Sequence, residues 1–349
     1  MPERGTNDIV RSGAPTLEDV AEQAGVSTAT VSRCLNMPDR VTKSTRERVL
    51  AAVKELGYAP NFGAQALAAK RTNTFGAIVP TMENAIFARG LQAFQEELGR
   101  HGVTLLVASA SYSPELEENQ IRTLVARGAD ALLLIGHDRD PQIYRFLETR
   151  GISFVVSWVY DPDAPHFSIG FDNRAAMRRL TEKVLGLGHK EIGFISAPRD
   201  GNDRARARYD GAADAVRAVG LSAATLKVIE TPYSIANGGD AFEELVQETG
   251  VTAVLCGNDV LAAGALKRAA SMSICVPEDV SVTGFDDIEI ADIVTPGLTT
   301  IHVPHREMGR RSAQALMAMR NGTAVGHSVE LKAEIKWRST LGPVQPQQS

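Results

Sequence analysis

In the stretch TATVSRCLN, residues 28–36, Val31 and Leu35 stand four apart on one helical face, and Thr28, Ala29, Ser32 and Arg33 share the other. Short side chains around one arginine make a face that enters a DNA major groove, where a guanidinium takes guanine O6 and N7 as a bidentate pair. A second set of reactive types lies far downstream, each close to the end of a short apolar run. Trp158 follows FVVS, Asn258 and Asp259 follow VLCG, and Phe285 and Asp286 follow SVTG. Phe87 is read in the loop after FGAIVP, Tyr233 in the loop after TLKVIE, and Arg208 at the start of a helix after FISAPRDGNDRARA. Aromatic faces mixed with Arg, Asp and Asn suit a small polar ring, stacked and hydrogen-bonded at its edge. Catalytic signatures are missing: there is no G-x-G-x-x-G after a first strand, no phosphate-binding lysine loop and no G-x-S-x-G elbow. His302 and His305 have H-x-x-H spacing around a proline but no third ligand nearby, so no metal, no cofactor and no enzymatic activity are expected.

The groove-reading face needs a scaffold, and the flanking sequence supplies one. Thr16 is placed to cap a helix with Asp19 in its positive first turn, and Leu17, Val20, Ala21 and Ala24 recur at helical spacing. Gly25 follows, where a left-handed turn is cheap, and Ser27 is placed to cap the second helix, which Asn36 can end. A third helix, KSTRERVLAAVKELG, is expected to bury Val49, Leu50, Val53 and Leu56 and to stop at Gly57. Two short helices joined by a glycine-containing turn of small residues make the helix-turn-helix pattern. After it, AQALAAK has room for less than two helical turns, too few for stability alone. A marginal helix with one large apolar residue, Leu67, reads as a segment that folds on DNA and wedges Leu67 into the minor groove.

Bulk properties agree. The 349 residues carry a net charge of -5, but unevenly: residues 15–71 hold eight basic and six acidic side chains, and residues 72–349 hold 27 and 34. A mildly basic head on an acidic body suits a head that meets phosphate. The longest apolar runs are too short to span a bilayer, the first residues MPERGTNDIVRSGAP lack the apolar core of a signal peptide, and three scattered cysteines fit a reducing compartment. A cytoplasmic protein without membrane contact is expected.

The segment TLEDVAEQAGVSTATVSRCLN…VTKSTRERVLAAVKELGYAPNFGAQALA resembles the head of the lac repressor (LacI/GalR) family of bacterial transcription regulators. The resemblance runs on through FGAIVP, IGFDN, LGHKEIGFIS, CGNDVLAAGAL and VPEDVSVTGFDDIEIADIVTPGLTTI, nearly the whole chain. It implies that Thr28, Ala29 and Arg33 meet base edges. It further implies that Ser27, Thr30, Ser32, Asn36, Thr42, Thr45, Tyr58 and Asn61 hold phosphates, and that Leu67 pries open the central base step. In the body it implies that Phe87, Trp158, Arg208, Tyr233, Asn258, Asp259, Phe285 and Asp286 line an effector pocket. Gln65 departs from the arginine common at that position, which weakens a phosphate or minor-groove contact there, and Cys34 replaces a usual aliphatic residue of similar character.

The expected fold class is an all-α helix-turn-helix DNA-binding head plus an α/β body of two Rossmann-like parallel-sheet lobes, like periplasmic binding proteins. Near-continuous apolar strands alternating with helices demand that architecture, and ligands bind outside the carboxyl ends of such strands. The expected organisation is a disordered tail over 1–14, the head over 15–60, a hinge helix and linker over 61–73, the body over 74–342 and a tail over 343–349. Within the body, one lobe covers about 74–171 and 302–330, the other about 172–301 and 331–342. The expected function is operator binding as a homodimer, usually repression, controlled by a small-molecule effector: a sugar or sugar derivative first, a nucleobase or acidic metabolite otherwise. The tail GPVQPQQS has no heptad repeat, so no coiled-coil tetramer is expected. The contrasting reading is a sugar-binding receptor of the periplasmic type, which would carry a signal peptide and no DNA-binding head.

Overall fold

The computed structural model describes residues 14–59 and 71–345. The expectations for Asn61, Gln65 and Leu67, for residues 1–13 of the first tail and for 346–349 of the last, lie outside those residues. The chain divides into two units, residues 1–72 and 73–349.

The first unit holds three helices, α1 (Leu17–Ala24), α2 (Thr28–Asn36) and α3 (Lys43–Leu56). Thr16 and Asp19 form a reciprocal capping box: Thr16 N donates to Asp19 Oδ2 at 2.8 Å, and Asp19 N donates to Thr16 Oγ1 at 3.3 Å. Gly25 ends α1 in the left-handed region at φ 63°, and Ser27 Oγ accepts from Thr30 N at 3.2 Å to start α2. Val20, Ala21, Ala24, Val31, Cys34, Val49 and Ala52 form the buried cluster, with Leu17, Leu35, Val53 and Leu56 packed partly against it. Leu50 departs from expectation: it is 44% exposed. The buried stripe of α3 runs Val49, Ala52, Val53, Leu56, at steps of three, one and three, and Leu50 sits beyond its edge.

The second unit contains two parallel sheets. The first joins β1 (Thr74–Val79), β2 (Thr104–Ser109), β3 (Ala131–Ile135), β4 (Ser153–Ser157) and β5 (Ser168–Gly170). The second joins β6 (Ile192–Ser196), β7 (Leu226–Glu230), β8 (Ala253–Cys256) and β9 (Ser281–Thr283) in the order β7-β6-β8-β9. The chain then passes through β10 (Thr300–His302), β11 (Val329–Glu330) and β12 (Glu334–Lys336). β11 returns to the first sheet, giving the order β11-β5-β4-β3-β1-β2, and β10 pairs antiparallel with β12. β1, β3 and β8 are buried along their whole length, which explains their unbroken apolar sequence.

Helices cover both sheets: α4 (Ala85–Arg100), α5 (Pro114–Ala126), α6 (Pro141–Thr149), α7 (Asn173–Gly186), α8 (Asp203–Ala218), α9 (Ile235–Thr249), α10 (Asp259–Ser271), the short α11 (Ile290–Ile293) and α12 (His305–Arg320). α12 packs on α4 so closely that a Cβ on Gly309 would stand 1.9 Å from the carbonyl oxygen of Gly90. Two glycines, 219 positions apart (309 − 90), thus fix a backbone contact between the first lobe's α4 and the start of α12.

Candidate recognition face and effector cleft

In the head, Val31 is fully buried and Leu35 half-buried, so the opposite face of α2 points outward. Ala29 and Arg33 on that face are exposed, and Thr28, Thr30 and Ser32 are half-buried. Ser27 Oγ is 3.0 Å from Thr30 Oγ1, and Thr42 Oγ1 donates to Thr45 Oγ1 at 3.0 Å, so two pairs of hydroxyls open the second and third helices. Tyr58 is half-buried against the core just beyond α3. α2 itself ends at Asn36. Helix N-termini and hydroxyls are the groups that take backbone phosphate, and the short outward side chains leave room for base edges.

In the body, the strand-end residues gather around Arg208. Its Nε donates to Asn173 Oδ1 at 2.9 Å, its Nη1 to the Gly257 carbonyl at 2.6 Å and its Nη2 to Asp286 Oδ1 at 3.4 Å. The guanidinium lies 3.8 Å from the centroid of the Phe285 ring. The network continues into the first lobe. Trp158 Nε1 donates to His305 Nδ1 at 3.2 Å, which makes His305 Nε2 the protonated nitrogen, donating to the Asp286 carbonyl at 3.2 Å. Asn173 Nδ2 donates to the Trp158 carbonyl at 3.0 Å, and Phe87 meets Trp158 with ring centroids 5.6 Å apart. Asp286 and Trp158 both hold positive φ, 107° and 64°, conformations that the surrounding bonds enforce.

Burial sets the charges. It pushes the Asp286 carboxyl up to about 6, against the pull of Arg208 and Arg204. It pushes His305 down to about 3, so the imidazole is neutral and serves as a fixed hydrogen-bond bridge. Asp259 is also pushed well up, by burial and by the neighbouring Asp286 charge.

Two placements differ from the sequence reading. Phe87 is the third residue of α4 rather than a loop residue, and Arg208 is the sixth residue of α8 rather than its first. In each case the helix begins earlier, capped by Asn84 or Asn202, whose side-chain oxygen accepts from the backbone of Ile86 or Ala205. Asn258 and Asp259 are occupied locally. Asn258 Oδ1 caps α10 by accepting from Leu261 N at 2.9 Å, and Asp259 accepts from Thr300 Oγ1 at 2.6 Å and Ile288 N at 2.8 Å. Asn258 thereby fixes the start of α10, and Asp259 ties it to β10 and to the segment after β9.

A cavity of about 570 Å³ lies in the same cleft, lined among others by Thr81, Asn84, Tyr112, Asn202, Tyr233 and Val260. Tyr112, from the loop after β2, and Tyr233, from the loop after β7, face each other with ring centroids 5.9 Å apart. Burial raises the pKa of both phenols, so they stay neutral donors and acceptors. Of the eight residues expected to line an effector pocket, Tyr233 stands in the wall of this cavity, and Phe87, Trp158, Arg208, Asn258, Asp259, Phe285 and Asp286 do not. Tyr112 and Asn202 follow β2 and β6 in the loops SASYS and APRDGN, and the rule that ligands gather at strand carboxyl ends covers them equally.

A helix-turn-helix head followed by a body of two parallel-sheet lobes with a polar, aromatic cleft defines a class: DNA-binding transcription regulators with a periplasmic-binding-protein-like body. The family model described as bacterial regulatory proteins, lacI family, matches residues 16–61, and the periplasmic binding protein-like domain matches residues 181–341. The HTH-type transcriptional regulator GntR of Pseudomonas aeruginosa is 33% identical over 319 residues, covering 91% of this chain and 92% of its own. Among solved structures, the lac repressor dimer bound to operator and the anti-inducer ONPF superposes with a TM-score of 0.83 at 28% identity, covering 95% of this chain and 100% of that one. The transcriptional regulator CelR in complex with cellobiose gives a TM-score of 0.66 at 28% identity, covering 93% and 99%. The chain belongs to the LacI family of bacterial transcriptional regulators. All three of these similar proteins are transcriptional regulators. Among the described residues no helix is long and apolar enough to cross a membrane, and no group of three or more His, Cys, Asp or Glu side chains could hold a metal ion.

Proposed function

We propose that this protein is a homodimeric, operator-binding repressor whose DNA affinity is set by a sugar-like effector bound in the cleft of the body. The observation that carries the reading is the hydrogen-bonded path Arg208–Asp286–His305–Trp158, which joins one lobe to the other and to the start of α12 beside the cavity. A ligand that changes the partners of Arg208 changes what holds α12 and the two lobes together. Two phenol rings, Thr81, Asn84 and Asn202 suit a polyhydroxylated ring, and the similar CelR is a cellobiose complex. Two-fold symmetry follows from the operator, since two heads of a dimer read two half-sites; the similar lac repressor is a dimer bound to operator. In the head, Arg33 reads a base pair, and Leu67 inserts at the centre of the site.

Fluorescence anisotropy tests this with a promoter fragment from beside the protein's own gene, a scrambled control, and a panel of sugars, sugar acids and nucleobases. Salt-dependent, sequence-specific binding that one compound shifts supports the reading and gives the effector its sign. Leu67→Ala is expected to lose operator affinity with ligand binding intact. Binding without preference over scrambled DNA, by a folded protein that still binds a panel compound tightly, favours a ligand receptor without DNA-directed control.

A further inference from the structure

The cleft is bounded on one side by the chain crossings of β10 and β12. On another side the two lobes touch directly, through residues that neither the operator reading nor the effector reading uses. The loop after β3, residues 136–139, belongs to the first lobe and is fixed there by the Arg139 guanidinium. Arg139 donates to the Gly136 carbonyl at 2.7 Å, the Tyr144 hydroxyl at 2.6 Å and Glu117 Oε1 at 2.9 Å, and its side chain is only 3% exposed. The first turn of α8, from the second lobe, grips this loop. His137 N donates to Asp203 Oδ2 at 2.5 Å, and Arg206 Nη2 donates to Asp138 Oδ2 at 3.0 Å. The other oxygen of Asp203 takes Arg204 Nη1 at 2.8 Å, which orients the carboxylate toward the loop.

The fit is tight. A Cβ on Gly136, itself at φ 76°, would stand 2.2 Å from Arg204 Nη1 and 2.6 Å from Asp203 Oδ1. The space left between the lobes here is a cavity of about 30 Å³, walled by Glu117 and Asp138 on one side and by Gly201 and Arg204 on the other. That is room for about one water. Tyr112 lines both this small cavity and the 570 Å³ one, so the contact lies directly behind the Tyr112–Tyr233 pair.

We propose that residues 136–138 and 203–206 form a clasp that holds the two lobes together before any effector binds. It thereby regulates access to the cleft. Its two bonds differ in kind. The Asp203 contact is largely shielded and uses a backbone donor, so it persists in salt; Arg206–Asp138 is 45% and 36% exposed and weakens as salt screens it. An effector binding behind the tyrosine pair acts on a body whose lobes are already joined. The energy it adds shifts an existing equilibrium rather than assembling the closed form from free lobes. This consequence rests on the effector reading; the clasp itself is tested on the protein alone.

The test is the distance between lobes in the full-length protein without ligand or DNA. Nitroxide labels at Arg145→Cys on α6 and Glu244→Cys on α9, both exposed, are read by double electron–electron resonance in a Cys275→Ser background, because the other two cysteines are buried. With labelled chains diluted into an excess of unlabelled chains, so that each dimer carries one labelled pair, the otherwise unmutated protein is expected to give one narrow distribution. The double change Asp203→Asn/Arg206→Ala is expected to broaden and lengthen it by several ångströms. Gly136→Ala, acting from the opposite lobe, should do the same. Arg217→Ala, which removes an ion pair with Asp214 on the outer part of α8, should leave it unchanged. Distributions that coincide in all four proteins overturn the clasp, whatever the chain binds. Should the double variant fail to fold, Gly136→Ala alone decides.

Discussion

The head and the cleft solve opposite physical problems. Among its described residues the head buries only apolar side chains, Val20, Ala21, Ala24, Val31, Cys34, Val49 and Ala52, and keeps its described polar candidates for DNA contact exposed or half-buried. The cleft buries its candidate residues: Arg208, Asp286, His305 and Trp158 are each 3% exposed or less. A surface arginine keeps its hydration until it meets a partner. A buried arginine must be satisfied inside the protein at all times. In the head, therefore, function and folding are separable residue by residue. In the cleft, each candidate group is also structural.

The largest effect that tests this contrast is in the cleft. Arg208→Ala strands three buried acceptors, Asn173 Oδ1, the Gly257 carbonyl and the Asp286 carboxylate. Removing one partner of a buried pair costs about 3–5 kcal/mol. Urea denaturation should place the body of the variant lower by that amount, and effector response should vanish while operator binding by the folded fraction survives. An unchanged urea midpoint would mean that Arg208 is solvated, and the contrast with the head would fall.

A second test uses pH. The folded Asp286 carboxyl titrates near 6, above its ordinary 3.8. Its contribution to stability is full below pH 3.8 and is lost as pH rises through 6, by about 3 kcal/mol for a shift of roughly two units. His305 runs the other way: with its pKa pushed from 6.5 to about 3, its contribution is full above pH 6.5 and is lost as pH falls toward 3. Between pH 4 and 6 the two oppose each other and flatten the profile. Asp286→Asn removes one of them. Urea midpoints measured from pH 4 to 7 should show the variant losing stability steadily on acidification, where the unmodified protein changes little. Parallel curves for the two proteins would remove the buried carboxylate from the account.

The same contrast explains what was legible in the sequence. In the head, the capping box at Thr16, the left-handed Gly25 and the stripe of Val20, Ala21 and Ala24 are all encoded within one or two turns, and local rules recover them. The one miss, Leu50, lay at the edge of a stripe, where periodicity alone does not decide. In the body, strand ends pointed to Arg208, Phe285, Asp286 and Trp158, which come together. The rule gave no means of telling Asn258 and Asp259, which fix the start of α10, from Tyr112 and Asn202, which line the cavity. That distinction depends on contacts such as Asp259 with Thr300, 41 residues apart, and Tyr112 with Tyr233 across the cleft. The pairing of His305 with Trp158 spans 147 residues and left no local trace.

A smaller effect is expected at Arg33. It is exposed, so Arg33→Ala should alter folding by no more than a few tenths of a kcal/mol. Discrimination at one operator base pair should fall by about 1–3 kcal/mol. Anisotropy titrations against single-base operator variants measure it. Uniform weakening on every sequence would reassign Arg33 to phosphate.

The smallest effect is the sharpest test of separability. Thr16 lies before α1 and outside the recognition face, and its side chain bonds Asp19 in the capping box. Thr16→Ala removes that cap and should destabilise the head by about 1 kcal/mol. Hydrogen exchange at the Val20 and Val31 amides, read in the full-length protein, should speed up accordingly. Affinity for every DNA sequence should fall together, by the fraction of heads unfolded, with the ratio between operator and scrambled DNA preserved. Thr16→Ala and Arg33→Ala then form a matched pair: one changes folding and leaves specificity, the other changes specificity and leaves folding. Were the capping variant to alter the ratio as well, the recognition face would be shaped by the stability of its scaffold, and the head would behave as the cleft does.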